Sequence, residues 1–67
     1  MSIEELEAKV KKLSMRSTDA KMKLHDLSEE LPTDWERIPE IAEETYKIFR
    51  DLAEARKALK DAKKTAA

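Results

Sequence analysis

Sixty-seven residues with 43% charged side chains, a net charge of −1 and no cysteine or glycine allow one small domain. They exclude a disulfide staple, a cysteine-based zinc site and any glycine-rich phosphate loop. The longest uninterrupted apolar run is two residues, too short to cross a membrane, and no signal peptide or lipidation motif is read at the ends. A cytoplasmic location is the expectation.

The first predicted element is a helix over about 2–30. Ser2 stands where an N-cap is needed, with Glu5 completing a capping box, and no proline or glycine interrupts the following residues. Ile3, Leu6, Val10, Leu13, Ser17, Ala20, Leu24, Leu27 and Leu31 step alternately by three and four. That spacing is the seam of a helix packed against another helix. Leu31-Pro32 should end the helix, because the residue before proline is pushed from helical geometry.

Thr33-Asp34-Trp35-Glu36 repeats the capping-box pattern, so a short helical turn is expected at 34–37. Trp35 should fold over the end against Leu31 and Ile38 and seal the last core layer. The alternative is an exposed Trp35 that, with Pro32 and Asp34 beside it, anchors a partner.

A second helix is expected over about 39–64, with Pro39 at its first position, where proline costs little. Thr65, Ala66 and Ala67 should fray. Its seam is Ile38, Ile41, Thr45, Ile48, Leu52, Ala55, Leu59, Ala62 and Ala66. Folded antiparallel, the seams pair Leu31 with Ile38 next to the turn. Leu24 then faces Thr45, Ala20 faces Ile48, Ser17 faces Leu52 and Leu13 faces Ala55. Val10 meets Leu59, and Ile3 meets Ala66 at the open end. Six of the nine layers oppose a small side chain to a large one, as close packing requires. The fold class is therefore all-α: a two-helix antiparallel hairpin in a single domain over 1–67.

So few residues form a thin core, and a second copy should complete it. Ala42, Tyr46, Phe49 and Ala53 form an apolar stripe beside the second seam. Met1, Ala8, Met15 and Met22 recur every seven residues on the first helix. These are the candidate oligomer contacts, although Phe49 could instead widen the core of its own hairpin. Charge suggests how copies align. Residues 1–24 hold six bases and four acids, residues 26–44 hold Arg37 against eight acids, and residues 47–67 hold seven bases and three acids. The turn end thus carries −7 and the opposite end +6. Two hairpins should lie side by side with turns at opposite ends. Many charges also have local work: Glu5–Lys9, Glu7–Lys11, Asp19–Lys23 and Glu43–Lys47 can pair one helical turn apart.

No constellation for catalysis emerges. His25 is the lone imidazole, beside Asp26 and one turn from Glu29. His25 with Glu29 is the candidate metal pair, too few ligands for a strong site without help from another copy. The serines lack a positioned base, and a two-helix rod offers no pocket of its own. The chain is read as not an enzyme, with no cofactor beyond a weakly held divalent metal at that pair.

Leu24-His25-Asp26-Leu27-Ser28-Glu29-Glu30-Leu31-Pro32-Thr33-Asp34-Trp35, followed by Ile38-Pro39-Glu40, resembles the LHDL-x-E-x-LPT-x-W segment of the small Rop-like proteins encoded among nitrogen-fixation genes. The similarity extends through Ile3-Glu4-Glu5-Leu6, Tyr46 and Ala55-Arg56-Lys57. It implies two antiparallel helices assembling into a bundle and an accessory part in nitrogen fixation, whose partner would be a nitrogen-fixation protein. Family members have also been discussed as metal binders; here no histidine lies near the C-terminus, so only His25, Asp26 and Glu29 remain for that role. The plasmid-regulating Rop protein suggests RNA binding through Lys9, Lys12, Arg16 and Lys23. Interleaved acids and a pI of about 5.8 disfavour nucleic acid.

Overall fold

The computed structural model describes the backbone of residues 2–66 and the side chains of residues 2–65. Helix α1 spans Ile3–Glu30, a 3-10 turn spans Trp35–Arg37, and helix α2 spans Ile38–Ala66. The two long helices pack against each other as an antiparallel hairpin, giving a rod of 52 × 15 × 13 Å.

The start of α1 is capped as its sequence requires. Ser2 Oγ accepts a hydrogen bond from the Glu5 backbone N–H at 3.1 Å and donates one to Glu5 Oε1 at 3.3 Å. Leu31 leaves the helix with φ −55° and ψ 140°, the extended geometry that a following proline imposes.

The linker departs from expectation at three points. The expected turn at 34–37 is a 3-10 turn beginning at Trp35, and the second capping box does not form. Asp34 adopts left-handed geometry, with φ 57°, and its side chain makes no capping bond. The turn is held by backbone instead: Thr33 N–H donates to Glu30 O at 2.9 Å, and Arg37 N–H donates to Asp34 O at 2.9 Å. The second helix begins one residue early, at Ile38. Its backbone is helical despite preceding proline, because its N–H carries on the turn by donating to Trp35 O. Pro39 falls in the first turn of α2, where its missing N–H breaks no helical bond. At the other end α2 runs through Thr65 and Ala66, two residues past the expected end at 64; Ala67 lies outside the described residues.

The core lies where the two seams predict it. Leu6, Leu13, Ser17, Ala20 and Leu27 of α1 are buried, as are Ile41, Leu52 and Ala55 of α2. Leu13, Leu52, Ala55 and the partly buried Val10 form the central cluster. Neither central hydroxyl is left without a partner. Ser17 Oγ donates to Ser14 O at 2.7 Å, and Thr45 Oγ1 donates to Ile41 O at 2.8 Å. The pairing of Ile3 with Ala66 lies outside the described side chains.

The core reaches the Leu27 and Ile41 layer, but the last layer at the turn is open and Leu24 is half-exposed below it. Leu24, Leu31 and Ile38, seam members by spacing, are 37%, 40% and 40% exposed. Trp35 does not seal the end as expected, being 61% exposed. A 3-10 turn has three residues per turn rather than 3.6, so it breaks the phase of the seam just where the cap was needed.

Candidate interaction surfaces

Three exposed apolar features remain once the hairpin is closed. The first is the α2 stripe. Tyr46 is 68% exposed and Phe49 is 42% exposed, with Ala42 and Ala53 exposed beside them. Phe49 therefore gives only part of its ring to its own hairpin. The second is the methionine face of α1, where Met15 and Met22 are both mostly exposed; Met1 lies outside the described residues. The third is the turn end, which groups exposed Leu31, Trp35 and Ile38 among acidic residues. Spacing assigned Leu31 and Ile38 to the core and so missed their part in this surface. The signal that could have found it is Pro32, since both residues flank a segment that cannot continue either helix.

The basic candidates for RNA contact are interleaved with acids in space as well as in sequence. Lys23 Nζ lies 3.4 Å from Glu44 Oε2 across the two helices, in a groove shared with Arg16, Asp19, Ala20 and Ile48. Lys9 lines another with Asp51 and Glu54. Of the four expected one-turn pairs, Lys47–Glu43 closes, at 3.2 Å. Lys23 turns to Glu44 rather than to Asp19, which ties the helices together instead of stiffening one.

His25 and Glu29 do meet, with Nε2 at 2.8 Å from Oε1, and both side chains are two-thirds exposed. Among the described residues no group of three or more His, Asp or Glu side chains gathers closely enough to hold a metal ion. His25 borders an open groove with Thr18, Lys21, Met22 and Asp26. The Thr18 hydroxyl there donates its proton to Ser14 O at 3.1 Å. Among the described residues no helix is long and apolar enough to cross a membrane.

Comparison with known proteins matches this architecture. The Rop-like family model covers residues 1–64. A UPF0437 protein of Azorhizobium caulinodans is 59% identical over 88% of this chain and 86% of its own length. A UPF0437 protein of Nostoc is 46% identical over 88% of this chain and 83% of its own. A third relative, from Frankia alni, is described as lying in the nifX-nifW intergenic region; it is 38% identical over 67% of this chain and 55% of its own length. No solved structure matches. With the hairpin, its seams and nearly its whole length accounted for, the chain belongs to the Rop-like family, one of whose members is encoded among nitrogen-fixation genes.

Proposed function

We propose that this protein is a non-enzymatic, cytoplasmic accessory factor of nitrogen fixation, one hairpin unit that works as a homo-oligomeric adaptor. Two hairpins lie antiparallel, and the turn end of each stays free to hold a nitrogen-fixation protein. The observation that carries this reading is the set of large apolar side chains left in solvent on so small a molecule: Tyr46, Phe49, Met15, Met22 and Trp35. A rod that buries one stripe per helix and leaves aromatics uncovered is built for contact. Trp35 stands beside Asp34 and Glu36, with Glu40 held by Arg37 at 3.3 Å, so the partner surface that fits it is apolar with a basic rim facing those two acids. The Frankia relative's place between two nif genes supplies the biological setting.

The test is a deletion strain and a tagged copy. Loss of the chain should slow growth on dinitrogen while leaving growth on ammonium untouched. Capture from nitrogen-fixing cells should retrieve a nitrogen-fixation protein that Trp35→Ala releases. Unimpaired growth of the deletion strain on dinitrogen overturns the proposal.

A second reading, a weak metal carrier, rests on the 2.8 Å His25–Glu29 contact. It needs further ligands from another copy. Calorimetry with nickel, zinc or ferrous iron should then show binding that His25→Ala abolishes; heats unchanged by that substitution dispose of it.

A further inference from the structure

The apolar stripe on α2 does not end at Ala53. Followed along the same exposed face it continues through Arg56, Lys60 and Lys63, all solvent-exposed. The whole stripe reads Ala42, Tyr46, Phe49, Ala53, Arg56, Lys60, Lys63: aromatic in its first half, cationic in its second, with a methyl group in the middle. Tyr46 and Lys60 stand seven residues to either side of Ala53, and Phe49 and Arg56 stand four and three residues away. With a helical rise of about 1.5 Å per residue, these pairs match in height to within about one residue.

We infer that the stripe is self-complementary, and that its occupant is the same stripe of a second copy, related by a two-fold axis passing beside Ala53. Turned end for end, the second α2 places its Arg56 over Phe49 and its Lys60 over Tyr46, and the exchange is reciprocal. Each of the two rings then receives a cation, with Arg56 giving up its 3.5 Å bond to Ser14 Oγ of α1, and Lys63 meets Glu43 of the other copy rather than another cation. The same operation brings the basic end of one copy beside Glu43 near the turn of the other. Parallel docking would instead stack Arg56 on Arg56 and Lys60 on Lys60. Ala53 at the crossing lets the helix axes approach to the short end of the usual range, about 8 Å. This inference deepens the antiparallel assembly proposed above and rests on it.

The test uses the absence of native cysteine. Single variants Ala53→Cys and Met15→Cys, both at exposed positions, are oxidised mildly while sedimentation follows the assembly state of the unmodified chain. At a two-fold crossing with small residues the two copies of position 53 lie within disulfide reach. We expect a sedimenting dimer, near-complete cross-linking of Ala53→Cys and little of Met15→Cys. Tyr46→Ala should raise the dimer dissociation constant at least tenfold while helical circular dichroism is retained. A dimer that cross-links through position 15 and not position 53 overturns this interface and leaves the antiparallel assembly standing. A monomer at tens of micromolar overturns both.

Discussion

Ser17 shows how a polar residue can sit at the centre of a core without defining a site. It is only 6% exposed, yet its hydroxyl is spent on the carbonyl of Ser14 in its own helix. It therefore asks nothing of α2 except room. Ser17→Ala removes a donor and leaves no orphan, because the Ser14 carbonyl remains within its helix; alanine is also the better helix former. Urea unfolding of Ser17→Ala should stay within about 1 kcal/mol of the parent, on the stabilising side if anything. Ser17→Leu should do the opposite. Facing Leu52, which is 3% exposed, an added isobutyl group has no space and should cost about 1–3 kcal/mol. Leu13→Ala should be more damaging still. It opens the cluster with Leu52 and Ala55 and should cost about 2–5 kcal/mol, enough to unfold a hairpin with so thin a core.

At the scale of elements, the two helices were legible and the join between them was not. Ser2, the unbroken spacing from Ile3 to Leu27 and the Leu31-Pro32 stop place α1 to within a residue of where it lies. A helix repeats one local rule many times, so a long run averages out any single misleading residue. The linker has no such redundancy. Thr33-Asp34-Trp35-Glu36 satisfies the capping-box pattern with Thr33 as the cap, but pattern cannot say that Asp34 will turn left-handed and shift the start of the turn to Trp35. Once Asp34 does so, the turn tightens, the seam loses phase and Trp35 is left in solvent. The site was legible in proportion: Tyr46 and Phe49 were visible as a stripe, while Leu31 and Ile38 passed for core. Asp34 also gives a direct check on the linker. Aspartate tolerates left-handed geometry better than most residues, and glycine tolerates it without penalty. Asp34→Gly should leave thermal stability unchanged or raise it by up to about 1 kcal/mol, whereas Asp34→Val should lower it by about 1–2 kcal/mol. A valine variant as stable as the parent would mean that the linker takes a different path.

The whole molecule is a dipole of residues rather than of helices, since the macrodipoles of two antiparallel helices largely cancel. What remains is the uneven placement of side chains, eight acids against one base at the turn end and a basic excess at the other. Over a rod 52 Å long, ions screen that polarity to different depths as salt changes. The screening length falls from roughly 30 Å at 0.01 M salt to about 3 Å at 1 M. In dilute salt each end of one hairpin therefore senses the facing end of its neighbour, and in concentrated salt only direct contacts survive. The sign of the response reports orientation. Antiparallel copies set acidic ends beside basic ones, so added salt removes an attraction and should weaken the dimer. Parallel copies set like ends together, so added salt removes a repulsion and should strengthen it. Sedimentation equilibrium in sodium chloride from about 0.02 to about 0.5 M, over which the screening length shortens several-fold, should show the dissociation constant rising several-fold. Reversal of the acidic end through Glu36→Lys, Glu40→Lys, Glu43→Lys and Glu44→Lys should invert that trend, because both ends of the rod are then basic and salt relieves their repulsion. A parent dimer that tightens as salt is added would place the two turns at the same end, and with them the acidic tips that carry Trp35.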